Sequence, residues 1–346
     1  MKVYVVLIAL AAAMSSCHTN SNEPLTDATD SLPGGFPPVI AIEKLKTTVF
    51  VPTLESRIPH DKNVIYTPTL LFAWDEVKEH LPGGVLPSDG SSADFLLLNK
   101  SASHQASLGK AEFKTTVYVS RDTIRATASF NKSLPFYTSM QRWDTLLRFN
   151  KQPVVSFGIY DYNYTLTQNV DIVYYKDDDH FCIKLIPADS TQEIILMKGI
   201  DTATNLDDII KQLKKQERLG QEEANNSDLY WKRFFTTEDK LLIPALAFNI
   251  AAHYPQLEGQ TFTTGLRFFE VITAAQRTAL VFNEHGSMME SEAEIAVSAV
   301  DSSRPRPKTM LFDKPFLLMM KKKTAAQAYF VMLVNNTELM IPSKKE

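Results

Sequence analysis

Residues Val281–Phe316 read VFNEHGSMMESEAEIAVSAVDSSRPRPKTMLFDKPF, and the order of events along this stretch decides the fold. An apolar strand end passes an acidic corner at Glu284, turns at Gly286 and then alternates through Ser287–Val300. One face carries Ser287, Met289, Ser291, Ala293, Ile295, Val297 and Ala299, all small or apolar. The other carries Met288, Glu290, Glu292, Glu294, Ala296, Ser298 and Val300 and is largely polar. Successive side chains of a strand point to opposite faces, so this is a strand pattern with one face fit for a core. Such a strand would run roughly 40 Å, where strands usually have about 5–6 residues. The pattern stops at Asp301–Lys308, DSSRPRPK, whose prolines cannot donate to a ladder and which therefore reads as an exposed, extended loop. Hydrophobic order returns in LFDKPFLLMM and, after KKKTAAQ, in AYFVMLV, which read as two buried strands.

A strand-capable run feeding an exposed loop just before a C-terminal pair of hydrophobic strands resembles the reactive-centre region of the serpins. Asn283, Glu284 and Gly286 resemble the family's hinge of two acids and a glycine, with His285 replacing an acid. Ser291–Val300, SEAEIAVSAV, is similar to its run of hydroxyl, glutamate and small residues. Phe312, Asp313, Lys314, Pro315 and Phe316 resemble the aromatic-polar-basic-Pro-Phe signature after the loop, and Tyr329 to Asn336 stands where the family ends. Counting back from Phe312 by the family's usual spacing lands on Arg304 as the residue before the scissile bond, followed by Pro305 and Arg306. By the same count Ser287–Glu290 are extra, an even insertion that leaves the faces unflipped.

The resemblance implies an α+β, serpin-like fold with a large mixed or antiparallel central sheet, further β-sheets and a reduced helical subdomain. It implies a suicide inhibitor of a serine or cysteine protease, neither an enzyme nor a cofactor protein. The loop would be cut, and the hinge of Glu284, Gly286, Ser287, Ser291, Ala293, Ile295, Val297 and Ala299 would insert as a new strand of the main sheet. Glu290, Glu292 and Glu294 would lie about 7 Å apart and cost about 0.6 kcal/mol per neighbouring pair in water. That is small beside roughly 1.5–3 kcal/mol for each of Met289, Ile295 and Val297 if fully buried. Two departures keep a second reading open. Pro305 after Arg304, and Pro307 after Arg306, normally prevent cleavage, so Val300 and Ser303 are alternative sites. Bulky Met288 and Met289 stand at the first hinge positions, as in family members that do not inhibit. The second reading is a non-inhibitory, surface-anchored binding lipoprotein on a truncated serpin-like scaffold; the plainest is a long edge strand followed by a surface loop.

The chain has 346 residues, 44% of them hydrophobic and 22% charged, which is an ordinary globular composition. A formal net charge of -4 implies no nucleic-acid footprint. Met1 and Lys2 precede VYVVLIALAAA, too short to span a bilayer comfortably, and then MSSC. Small residues before Cys17 resemble a bacterial lipoprotein signal in which that cysteine is acylated; an ordinary secretory signal cut nearby is the alternative. The expected organisation is a signal at 1–17, a Pro- and Gly-containing tether at 18–38 and one domain at 39–346. The expected partners are a target protease and, through the N-terminal lipid, a membrane. The chain is expected to be a monomer, exported and lipid-anchored at the bacterial outer membrane or surface, or secreted. With Cys17 acylated, Cys182 in HFCIKL has no disulfide partner and reads as a buried small hydrophobe. No histidine pair, GxSxG, P-loop or GxGxxG is present, and Asp177–Asp179 reads as a solvated turn with no metal.

Along the chain, Val39–Val51 reads as a first helix despite Thr47, Thr48, Val49 and Val51. DKNVIYTPTLLFAWDEVKEHL reads as a strand, a Thr-Pro start and a helix with Leu70, Leu71, Trp74 and Val77 on one side. SADFLLLNKSASHQASL reads as another helix, and FKTTVYVS with IRATASFN as a simple hairpin. In a full serpin the corresponding strands are separated by two helices and an edge strand. HFCIKLIPA and QEIILMKG read as a second hairpin, and NLDDIIKQLKKQERL as a helix burying Leu206, Ile209, Ile210 and Leu213. KLLIPALAFNIA and TGLRFFEVITAAQRTALVFNEHG read as strands, the latter leading into the hinge.

Overall fold

A computed structural model describes residues 35–81, 83–120, 123–265, 267–286 and 307–343. Cys17, most of the tether, and the loop residues Ser287, Ser291, Ala293, Ile295, Val297, Ala299, Arg304, Pro305 and Arg306 lie outside the described residues.

The described chain opens with β1 (Ile40–Ala41), one 3-10 turn at Ile42–Lys44 and β2 (Thr48–Phe50). The helix expected over Val39–Val51 is absent. Its β-branched residues lose rotamer freedom in a helix, and both short strands find parallel partners, β1 beside Leu246–His253 and β2 beside Asn63–Tyr66. β3 (Asn63–Tyr66) is buried at every position and feeds α1 (Thr69–Glu79), which buries Leu71, Phe72 and Trp74. After β4 (Leu86–Pro87), α2 (Ala93–Lys100) starts where the Ser92 hydroxyl accepts the Phe95 N–H, and stops short of the serines that the sequence had drawn into it. β5 (Lys114–Val119) and β6 (Ile124–Ser129) pair as the expected hairpin.

β7 (Gln141–Phe149) is a strand with few sequence signals, since only Leu147 and Phe149 are buried. β8 (Gln152–Ile159), the single turn α3 (Tyr164–Thr167), β9 (Val170–Asp177), β10 (His180–Leu185) and β11 (Gln192–Lys198) follow. α4 (Leu206–Glu223) is capped by Asn205, whose side chain accepts the Asp208 N–H, and it buries Leu206, Ile209, Ile210 and Leu213 as its periodicity predicts. It lies so close to β9 that a Cβ on Gly220 would stand 1.9 Å from the Val173 carbonyl oxygen. KLLIPALAFNIA is two strands, β12 (Lys240–Pro244) and β13 (Leu246–His253), which part at Ala245 into different sheets. β14 (Thr261–Thr264), β15 (Arg267–Glu270) and β16 (Ala275–Phe282) precede the loop. After it come β17 (Thr309–Leu311), β18 (Phe316–Lys322) and β19 (Phe330–Val334), so LFDKPFLLMM also divides between two sheets.

The largest sheet is mixed and seven-stranded, in the order β2-β3-β19-β18-β11-β10-β9, and its inner strands are almost wholly buried. Beside it stand a four-stranded sheet, β17-β12-β8-β7, the three-stranded sheets β1-β13-β16 and β15-β14-β4, and the separate hairpin β5-β6. With few helices among these sheets the molecule is of the α+β class, as expected. Cys182 is fully buried on β10, and burial pushes its thiol well above the ordinary range.

Candidate functional site

The two described ends of the loop lie at one end of the four-stranded sheet. Gln141 pairs with Gly158, Gly158 with Leu242 and Leu242 with Leu311, so the start of β7 is level with Leu311, the end of the three-residue β17. Three strand spacings separate them, about 14 Å. The connection between Gly286 and Pro307 has about twenty residues, several times the contour length this span requires.

At the first root, β16 ends at Phe282, and Asn283–Gly286 crosses onto the segment before β7. The Met140 N–H donates to the Glu284 carbonyl at 2.8 Å. Arg142 Nη1 donates to the Glu284 carboxylate at 3.4 and 3.5 Å, and His285 lies 3.3 Å from Glu284 Oε1 through Nε2 and 3.3 Å from Ser139 Oγ through Nδ1. Glu284, read from sequence as an acidic corner, is buried. Gly286 has φ +43°, and a Cβ there would sit 2.3 Å from the Phe136 amide nitrogen, so glycine is required twice over.

At the second root the sequence reading needs correction. Pro307 is exposed as expected, but Lys308, taken as the end of the exposed loop, is 1% exposed. Its ammonium contacts Asp239 Oδ2 at 2.7 Å and donates to the Trp231 carbonyl at 3.1 Å, while its N–H donates to Asp239 Oδ1 at 2.7 Å. The Trp231 and Tyr175 rings lie 5.5 and 6.0 Å from the charge. Lysine is almost never fully buried unless paired, and the pairing here is complete. One residue on, the Thr309 N–H donates to Asp178 Oδ1 at 2.7 Å, an oxygen that also accepts the Tyr175 hydroxyl at 2.6 Å.

The signature after the loop is held as tightly. Phe312 and Phe316 are buried with ring centroids 5.1 Å apart, and Phe312 also meets Phe181 at 5.0 Å. Asp313 accepts from the buried ammonium of Lys198 at 2.6 Å, and Lys198 also donates to the Leu311 and Asp178 carbonyls at 2.9 and 3.0 Å. Lys314 reaches both oxygens of Asp179 at 2.9 Å, and Pro315 is exposed. Hydrogen bonds from Lys314 and Lys198 hold the Asp179 carboxyl below its ordinary range. Asp177–Asp179 is thus exposed, as expected, yet it is the brace of the loop's distal end. The sequence offered no signal for Asp239, Lys198 or Trp231, which are far along the chain from what they hold.

Beside the first root the sheet is open. Among the described strands β16 pairs with β13 alone and β6 with β5 alone. Both rest on α1 and its approach: Gln276 donates to the Thr67 hydroxyl and, at 3.0 Å, to Thr278, while Thr115 on β5 donates to Glu76 Oε1 at 2.7 Å. The Tyr254 hydroxyl completes a buried polar floor under β16 by donating to Gln276 Oε1 at 2.9 Å.

No protein-family model matches the chain, and no curated protein does. Solved structures that it resembles include the insect serpin Serpin48 of Tenebrio molitor, at 13% identity and a TM-score of 0.33, over 60% of this chain and 54% of that one. Others are native protease nexin-1 with heparin, at 13% and 0.34, over 62% and 56%, and human thyroxine-binding globulin with its hormone, at 12% and 0.35, over 62% and 55%. The chain spans little more than half the length of each. The chain is similar to serpins in fold, at a long distance.

Proposed function

We propose that this chain is a divergent serpin-like protease inhibitor whose segment 287–306 is a bait loop that, once cut, folds back beside β16. The observation that carries the reading is the edge of β16 that no described strand covers, which leads into the loop, while the hairpin β5-β6 stands as a separate sheet beside α1. A strand with an open row of N–H and C=O groups is a template for another strand. A return through the turn Asn283–Gly286 would run antiparallel to β16, with Ser287 opposite Phe282, Met289 opposite Leu280, Ser291 opposite Thr278 and Ala293 opposite Gln276. Opposite residues of an antiparallel pair share a face. The small, apolar face of the loop therefore comes down on the same side as the buried Gln276, Thr278 and Phe282. Glu290, Glu292 and Glu294 go to solvent, with Glu292 opposite Arg277.

A specific observation favours the non-inhibitory alternative. β16 has 8 residues and β6 only 6, so a strand of Ser287–Val300 would outrun both edges. One experiment separates the readings: thermal unfolding before and after limited proteolysis within Asp301–Pro307, with the cut mapped by mass spectrometry. A melting temperature raised by tens of degrees supports insertion; an unchanged or lower one sinks it and leaves the binding lipoprotein. The same reading takes Arg304, or else Val300 or Ser303, as the residue before the cut. It also takes Cys17 as acylated and the chain as an envelope protein, which metabolic labelling with a radioactive fatty acid tests.

A further inference from the structure

Exposed aromatic side chains gather around both roots of the loop. At the first, Tyr137 is 71% exposed and follows Phe136, the residue that meets Gly286. Close by, Tyr162 and Tyr164 are 39% and 65% exposed on the turn after β8, which Asn169 ties to the Thr138 carbonyl at 2.7 Å. At the second root, Tyr230 and Phe234 are 56% and 46% exposed, lie with ring centroids 4.2 Å apart at a tilt of 47° and flank Trp231, the residue whose carbonyl and ring hold Lys308. Single exposed hydrophobics need no explanation. Five aromatics at the end of the molecule that carries the loop are different, because Tyr, Trp and Phe are the residues that dominate the cores and hot spots of protein interfaces.

We propose that Tyr137, Tyr162, Tyr164, Tyr230 and Phe234 form a docking surface for the body of the protease whose cleft holds the loop. The inference rests on the bait-loop reading and adds a second contact to it. The occupant follows from continuity: both root clusters lie within a few residues of the loop, so any folded protein gripping the loop is brought down on them. The aromatic bodies supply contact area at low entropic cost, and the tyrosine hydroxyls supply adaptable hydrogen bonds to its rim.

The test compares the intact full chain with a synthetic peptide of residues 296–310 as substrates of subtilisin and of pancreatic elastase, because the prolines after Arg304 and Arg306 bar trypsin from this window. For each, kcat/KM is measured for cuts within 301–307 and after Val300. The wild-type chain is expected to be cut at least tenfold faster than the peptide by one of the two enzymes. The variant Y162A/Y164A/Y230A/F234A, checked for an unchanged melting temperature, is expected to fall toward the peptide's rate. A wild-type chain cut no faster than the peptide by either enzyme overturns the proposal. So does a variant cut at the wild-type rate, or concentration-dependent self-association of the wild type that the variant abolishes, which would assign the aromatics to a second copy. Failure of insertion is read separately, as a melting temperature that cleavage does not raise.

Discussion

The buried pair at the distal root makes the sharpest test of how the loop is held. Lys308→Met removes the ammonium but keeps a side chain of similar reach. Asp239 is then left without its cation, yet it still accepts the Lys308 and Thr236 N–H groups at 2.7 and 2.8 Å. Breaking a buried pair usually costs about 3–5 kcal/mol, and with both oxygens still bonded this change belongs at the low end, about 3 kcal/mol. Asp239→Ala is worse. It strands a buried ammonium with only the Trp231 carbonyl and two ring faces, and it orphans two backbone donors besides. Each orphan adds about 1–3 kcal/mol, so the total exceeds about 5 kcal/mol. The double change Lys308→Met with Asp239→Asn removes both charges and keeps an amide oxygen for one of the two backbone donors, so it is expected to lie within about 3 kcal/mol of wild type. Urea unfolding at neutral pH measures all three. The reasoning fails if Lys308→Met costs less than about 1 kcal/mol, or if Asp239→Ala is the milder change.

Gly286→Ala is expected to lose about 1–3 kcal/mol, seen as a lower urea midpoint, because the new Cβ enters a left-handed position against Phe136. Arg277→Glu is expected to shrink the melting-temperature gain on cleavage, read against the variant's own uncut midpoint because Arg277 Nε also donates to Asn249 Oδ1 at 2.9 Å. The substitution turns an attraction toward Glu292 of about 0.8 kcal/mol at ~5 Å in water into a similar repulsion, and an unchanged gain would refute the register. Glu112 gives an acid test. Burial pushes its carboxyl up, but hydrogen bonds from Lys132, Lys322 and the Gly109 N–H bring it down to about 2, from an ordinary value of 4.5. A depressed carboxyl contributes stability that is full above its unfolded value and is lost as pH falls through 4.5 toward about 2. Glu112→Gln should therefore flatten the fall in melting temperature over that window and change its slope little above pH 6.

Elements whose signal is local were legible in the sequence: α1 and α4 from their apolar stripes, the hairpins β5-β6 and β10-β11 from alternation and short turns. The expected first helix failed because Thr48 and Val49 find strands to lie beside, and a partner such as Asn63–Tyr66 is invisible to a window that ends at Val51. β7 was hard to see because its alternation of Trp143, Leu147 and Phe149 against Arg142, Asp144 and Arg148 is interrupted by the exposed Thr145 and Leu146, where the pairing with β8 shifts register. In the site, Glu284, Gly286, Phe312 and Phe316 were found from the pattern around the loop. Lys308 was misread because a lysine beside two prolines has every mark of an exposed loop, and Asp239, which reverses that, lies 69 residues earlier.

The position of β18 and β19 in the middle of the seven-stranded sheet, between β3 and β11, bears on how the protein is made. Every other strand of that sheet precedes them in the chain and is synthesised first. Until they emerge, β3 is separated from β10 and β11 by an empty double slot, and the apolar stretches Val64–Tyr66 and Ile194–Met197 wait for partners. Long-range pairing of this kind folds slowly and leaves sticky intermediates. A nascent chain stalled before Phe316 cannot close its main core at all. β18 and β19 act as a keystone, and the unfinished arch on either side needs shielding until it arrives.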